Sequence, residues 1–166
     1  MSYYFDPFAA QSNSCCHRRR DDRAVQLNAS TGGAGPLPII TTLLAAPIPV
    51  VDVTIDTKGM RNPAVLLNFT SIISLPVGIS VTLNFELKRS LDGGPPVSVG
   101  STYTFSTLVT VLEAESFGFQ FFDNNLAPGL YTYSVQLSTN SIIDITPGVT
   151  VTNATLSALA VDNGIV

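Results

Sequence analysis

An all-β fold is predicted by three observations: an antiparallel jelly-roll sandwich of about eight strands behind an extended N-terminal arm. From residue 50 onward, apolar and polar residues alternate with the period of two that a half-buried strand requires. Clusters of Gly, Pro, Asn and Asp interrupt this alternation at short intervals, as turns do. No window sustains the 3.6-residue period of a long helix.

The elements follow in order. Residues 1–24 have no sustained period and form the arm. Residues 25–36 contain Ser30-Thr-Gly-Gly-Ala-Gly-Pro36, whose three glycines and proline read as a hinge. Residues 37–166 form the sandwich, and its first strand is expected at 39–44. In residues 50–57, Val51, Val53 and Ile55 face one way and Asp52, Thr54 and Asp56 the other. Residues 65–73 form the next strand, stopped by Pro76 and Gly78. Residues 79–88 alternate most regularly, with Ile79, Val81, Leu83, Phe85 and Leu87 on the inner face. Asp92-Gly-Gly-Pro-Pro96 then turns the chain. Residues 102–112 are rich in β-branched and aromatic side chains. Phe117, Phe119 and Phe121 alternate in a further strand, and Tyr131, Tyr133, Val135 and Leu137 share a face in residues 130–139. Residues 147–161 close the pattern.

Composition points to assembly. Charged residues are 12% of the chain, about half the usual share, and hydrophobic ones are 45%. A surface so short of charge is covered by Ser, Thr, Asn and apolar groups, and such surfaces are commonly buried against partners. Arg18, Arg19, Arg20 and Arg23 against Asp6, Asp21 and Asp22 leave residues 1–24 at +1; four basic and nine acidic residues leave the rest at −5. An acidic body repels phosphate backbones, so nucleic acid is not an expected partner. Opposite signs do suit an arm that docks on another copy's body. No membrane span is expected, because the longest apolar stretch, residues 37–53, is broken by Pro38, Pro47 and Pro49. The opening Met-Ser-Tyr-Tyr-Phe-Asp-Pro lacks the basic-then-apolar order of a signal peptide, so an extracellular protein would need another route of release.

No residue pattern predicts catalysis, and no cofactor or metal is expected. His17 is the one histidine and lies in the arm, away from the rigid scaffold that a nucleophile–imidazole pair needs. Glu113 and Glu115 share a strand face, where paired carboxylates do acid–base work on sugars, yet charges at a strand end more often discourage edge pairing. Asp52, Thr54 and Asp56 offer oxygens to calcium but lack the glycine and distal glutamate of an EF-hand loop. Cys15-Cys16-His17 lacks the two-residue spacer of a zinc site. Asn28, Asn68 and Asn153 begin glycosylation triplets, unremarkable in a chain rich in Asn, Ser and Thr. An isopeptide bond from Lys58 or Lys88 to an Asn has no sequence signature.

The arm carries the candidate site. Tyr3, Tyr4, Phe5 and Phe8 form an aromatic cluster of the kind disordered tails lack, and serve as docking anchors. Both cysteines, Cys15 and Cys16, are in the arm. A bond between the two needs a strained eight-membered ring, so one reading joins them to other chains in an oxidising location. The other is a pair of free thiols made reactive by neighbouring arginines.

The segments Val53-Thr-Ile-Asp-Thr57, Leu66-Leu-Asn-Phe-Thr-Ser71, Ile79-Ser-Val-Thr-Leu-Asn-Phe85, Tyr103-Thr-Phe-Ser106 and Val151-Thr-Asn-Ala-Thr-Leu-Ser-Ala-Leu-Ala160 resemble a small β-domain of unknown function from endospore-forming Firmicutes. The layout of a jelly roll behind a Cys-Cys arm is similar to the endospore appendage subunits. That resemblance implies a homopolymeric, pilus-like fibre on the spore surface, with Cys15 and Cys16 as connector cysteines forming inter-subunit disulfides. Appendage subunits also carry acceptor cysteines in the body, and this chain has none there. A spore-coat or exosporium anchor is the further partner such a fibre would use. The expected function is thus a non-enzymatic, self-assembling extracellular fibre subunit. Two alternatives are a glycan- or surface-binding jelly-roll adhesin, with Tyr103, Tyr131 and Tyr133 as candidate contacts if they face outward, and a capsid-like shell protein, for which four arginines are few.

Overall fold

The computed structural model describes residues 25–37, 47–77, 80–108, 112–138 and 148–163. These contain eight strands: β1 (Val25–Ala34), β2 (Ile48–Asp56), β3 (Pro63–Leu75), β4 (Ser80–Leu91), β5 (Val97–Leu108), β6 (Glu113–Asp123), β7 (Leu130–Ser138) and β8 (Thr150–Asp162). They form two four-stranded antiparallel sheets, ordered β1-β8-β3-β6 and β2-β7-β4-β5. Only β4 and β5 are consecutive neighbours; every other connection crosses from one sheet to the other. This is the jelly roll expected from the sequence.

The alternating strands lie as their periodicity predicts. Val51, Val53 and Ile55 of β2, Val81, Leu83, Phe85 and Leu87 of β4, and Tyr131, Tyr133, Val135 and Leu137 of β7 are all buried between the sheets. The expected strand at 39–44 and Ile79 lie outside the described residues.

One expectation is corrected. Residues 25–36, read as a hinge, contain β1, which pairs with β8 from Val25↔Val161 to Ala34↔Val151. The glycines serve proximity here, not bending. Gly32 passes so close to the Val50 carbonyl oxygen that a Cβ has no room. Asn28 Nδ2 then donates to Thr54 O at 2.7 Å, closing the sandwich along the β1–β2 side. The opposite side is sealed by rings. Tyr103 of β5 stacks on Phe119 of β6 at 3.8 Å between centroids, and Phe85 stacks on Phe117 at 4.7 Å.

Two local devices set the register. In β8, two residues oppose one on β3 and one on β1 between the matched pairs, and the bulge holds Asn153 at φ 50°. Asn tolerates this left-handed backbone better than most residues. Between β4 and β5, Gly94 N donates to Leu91 O at 2.9 Å across Asp92 (φ 50°) and Gly93 (φ 75°), a type I′ turn. Nothing lies within 4 Å of a Cβ built on Gly93, so its replacement is a pure backbone test. Gly93→Ala is expected to lower stability by about 1–2 kcal/mol, read as a shift in the urea midpoint at unchanged slope.

Candidate assembly surface

The two outer faces of the sandwich differ in charge. On sheet β2-β7-β4-β5, Asp52, Asp56, Glu86 and Lys88 point outward among Thr54, Thr132, Ser134 and Gln136. Glu86 pairs with Lys88 at 2.8 Å. On sheet β1-β8-β3-β6, the outward positions of all four strands hold no Asp, Glu, Lys or Arg.

Register concentrates apolar groups at one end of this second face. Leu27 pairs with Leu159, Leu159 with Leu66, and Leu66 with Phe122. The four side chains form a row across the whole sheet. Val25 and Val161 make a second row beside it, which ends on the buried Ala64. Leu27 is 69% exposed, Val25 60%, Phe122 51% and Leu66 39%. The next rows are Ala29, Ser157, Asn68 and Gln120, then Thr31, Thr155, Thr70 and Gly118; beyond the bulge lie Thr152, Ile72 and Ser116, with Ile72 37% exposed, and then Thr150, Ser74 and Ala114. A contiguous apolar patch bordered along the strands by uncharged polar groups has the composition of an interface rather than of a solvated sheet.

Beneath the same end, a polar clamp joins the sheets. Arg89 Nη1 of β4 donates to both carboxylate oxygens of Asp123 of β6, at 3.0 and 2.9 Å. The Tyr133 hydroxyl of β7 donates to Asp123 Oδ2 at 2.9 Å. Burial, reinforced by the Asp123 charge, pushes the Tyr133 phenol far above its usual range, so it stays a neutral donor. Arg89 also borders an open cleft of about 310 Å³ with Leu91, Pro95, Val97, Leu126 and Tyr131. Asp123 holds the guanidinium, and Asp92 at the adjoining turn adds a second negative charge. The cleft thus offers no net attraction to an anion.

The proposed arm anchors Tyr3, Tyr4, Phe5 and Phe8, and the cysteines Cys15 and Cys16, lie outside the described residues. The other sequence candidates do not converge. Glu115 Oε1 accepts from Thr107 Oγ1 at 3.3 Å, while Glu113 is exposed at the start of β6. Asp56 Oδ1 caps Lys58 N at 2.9 Å, and Thr54 Oγ1 meets Thr132 Oγ1 at 3.0 Å. Among the described residues no three His, Cys, Asp or Glu side chains come together to hold a metal. Nor does any helix there have the length and apolarity to cross a membrane. Tyr131 and Tyr133 are buried and Tyr103 packs against the core, so none is an outward contact for a sugar. The apolar row escaped the sequence reading, although Leu66, Phe122 and Leu159 are apolar residues at polar phases of their strands.

Topology and surface together define a jelly-roll sandwich with one charged and one neutral face. The chain belongs to the family described as a domain of unknown function (DUF4489), which matches residues 24–161. No curated protein matches it. Among solved structures it is similar to one titled "Structure of infectious bursal disease virus Gx strain", at 12% identity and a TM-score of 0.49. The match covers 86% of this chain and 34% of that one, so this chain spans about a third of that chain's length. Likeness at that level carries no reading of function.

Proposed function

We propose that this chain is a non-enzymatic structural subunit that self-assembles into an extracellular fibre on endospores. The observation that carries the reading is the neutral outer face of sheet β1-β8-β3-β6, where the row of Leu27, Leu159, Leu66 and Phe122 leaves Leu27 and Phe122 mostly in water in a solitary domain. A low charge content and a body at −5 agree with it. In this reading the N-terminal arm of one copy docks on the body of the next, a heterologous contact that propagates without closing. Tyr3, Tyr4, Phe5 and Phe8 are its anchors, and each fully buried large side chain stabilises the contact by about 1.5–3 kcal/mol. Cys15 and Cys16 add disulfides between subunits, supported by the resemblance to appendage subunits and by the lack of any other cysteine in the chain.

The test is the full chain with Tyr3, Tyr4, Phe5 and Phe8 replaced by serine. Circular dichroism should show an unchanged β-sheet spectrum, while sedimentation velocity shows the polymer lost. Polymer formed to the same extent as by the unsubstituted chain would contradict arm docking.

A further inference from the structure

Resting on that reading of self-assembly, we infer that the neutral face of sheet β1-β8-β3-β6 docks on the same face of a second copy. This two-fold contact is separate from arm docking. Electrostatics selects the face. Two bodies at −5 repel, and a contact through the outer face of the other sheet would have to bury Asp52, Asp56, Glu86 and Lys88. The neutral face buries no charge, and so avoids the desolvation that a charged contact incurs.

Register makes the face self-complementary. The apolar row runs straight across the four strands, and two-fold symmetry requires a patch that matches itself. An axis parallel to the strands, midway between β8 and β3, superposes the two faces along their whole length. It lays Leu27 opposite Phe122 and Leu159 opposite Leu66 of the second copy. The same operation sets Ser157 against Asn68 and Thr155 against Thr70, small polar pairs that allow close approach. Packed sheets normally align within about 30°, which preserves this matching.

Area is sufficient. Four strands about 4.8 Å apart, with about ten residues each rising about 3.3 Å, give a footprint of roughly 600 Å² per copy. The pair then buries roughly 1,200 Å², the lower bound of standard specific interfaces. An arm lying on the face is the competing occupant, since residue 24 directly precedes Val25 in the second apolar row. A single extended segment covers a strip, whereas the uncharged surface spans all four strands.

The experiment uses the full chain with the four arm aromatics and both cysteines replaced by serine, which removes arm contacts. Sedimentation should give a dimer. Adding Leu66→Lys should weaken that dimer at least about 100-fold, which a melting curve can separate from unfolding because Leu66 lies on the surface. Leu159→Glu should do the same alone, and mixing the two variants should restore a heterodimer, because the two-fold sets position 66 against position 159. A monomeric arm-substituted chain, or a dimer indifferent to Leu66→Lys, would overturn the face contact and leave arm docking intact. Fibres that persist in the arm-substituted chain would overturn arm docking instead. Leu66→Lys is then read as fibre mass per length, which halves if the face contact exists and is unchanged if it does not.

Discussion

Replacing Arg89 with alanine is expected to destabilise the fold by about 3–5 kcal/mol, because it strands a buried carboxylate. Asp123 has 9% of its side chain exposed, and Arg89 meets both of its oxygens from the other sheet. After the substitution only the Tyr133 hydroxyl remains on Asp123. The ion pair itself is not what supplies the figure; an uncompensated buried charge is. The double variant Arg89→Ala with Asp123→Ala should therefore be more stable than Arg89→Ala alone. Urea denaturation of the four chains closes the cycle. A single variant within 1 kcal/mol of the unsubstituted protein would mean that water reaches Asp123 and that the clamp is ornamental.

Phe69→Ala is expected to have a comparable effect, about 3–5 kcal/mol, for a different reason. Phe69 is fully buried on β3, with its ring centroid 5.0 Å from that of Phe119 and 5.7 Å from that of Phe85 on the opposite sheet. Truncation opens a cavity at the centre of the aromatic cluster, whose members on β4, β5 and β6 are already packed against one another. Backbone collapse is restricted because β3 is paired on both sides, to β8 and β6. Phe69→Leu fills part of the space and should recover more than half of the loss. Against a total stability of 5–15 kcal/mol for typical domains, either single change removes a large share.

Much of the fold was legible because the inner strands obey a strict alternation. The β4 and β7 faces, read from period two alone, are the ones buried in the core. What was misread is β1, where local composition and tertiary context disagree. Ser30-Thr-Gly-Gly-Ala-Gly-Pro36 has the composition of a turn, yet most of it lies in an edge strand because β1 must pass against the Val50 carbonyl. No window of sequence contains that contact. The Arg89–Asp123 pair was illegible for a similar reason: it joins residues 34 apart on different sheets. The apolar row is an intermediate case. Leu66, Phe122 and Leu159 each break the phase of their strand, a signal visible in the sequence, whereas Leu27 lies on the apolar phase of a strand that was read as a hinge. Only the register shows that these three and Leu27 fall on one line.

Polymerisation is the property on which the proposed function rests. Its most direct test is electron microscopy of the purified full chain over a range of concentrations, with and without reductant. Unbranched filaments are expected in oxidising buffer, and reductant should shorten them as the Cys15 and Cys16 links open. Monomers or closed particles of uniform size at every concentration, in either buffer, would contradict it.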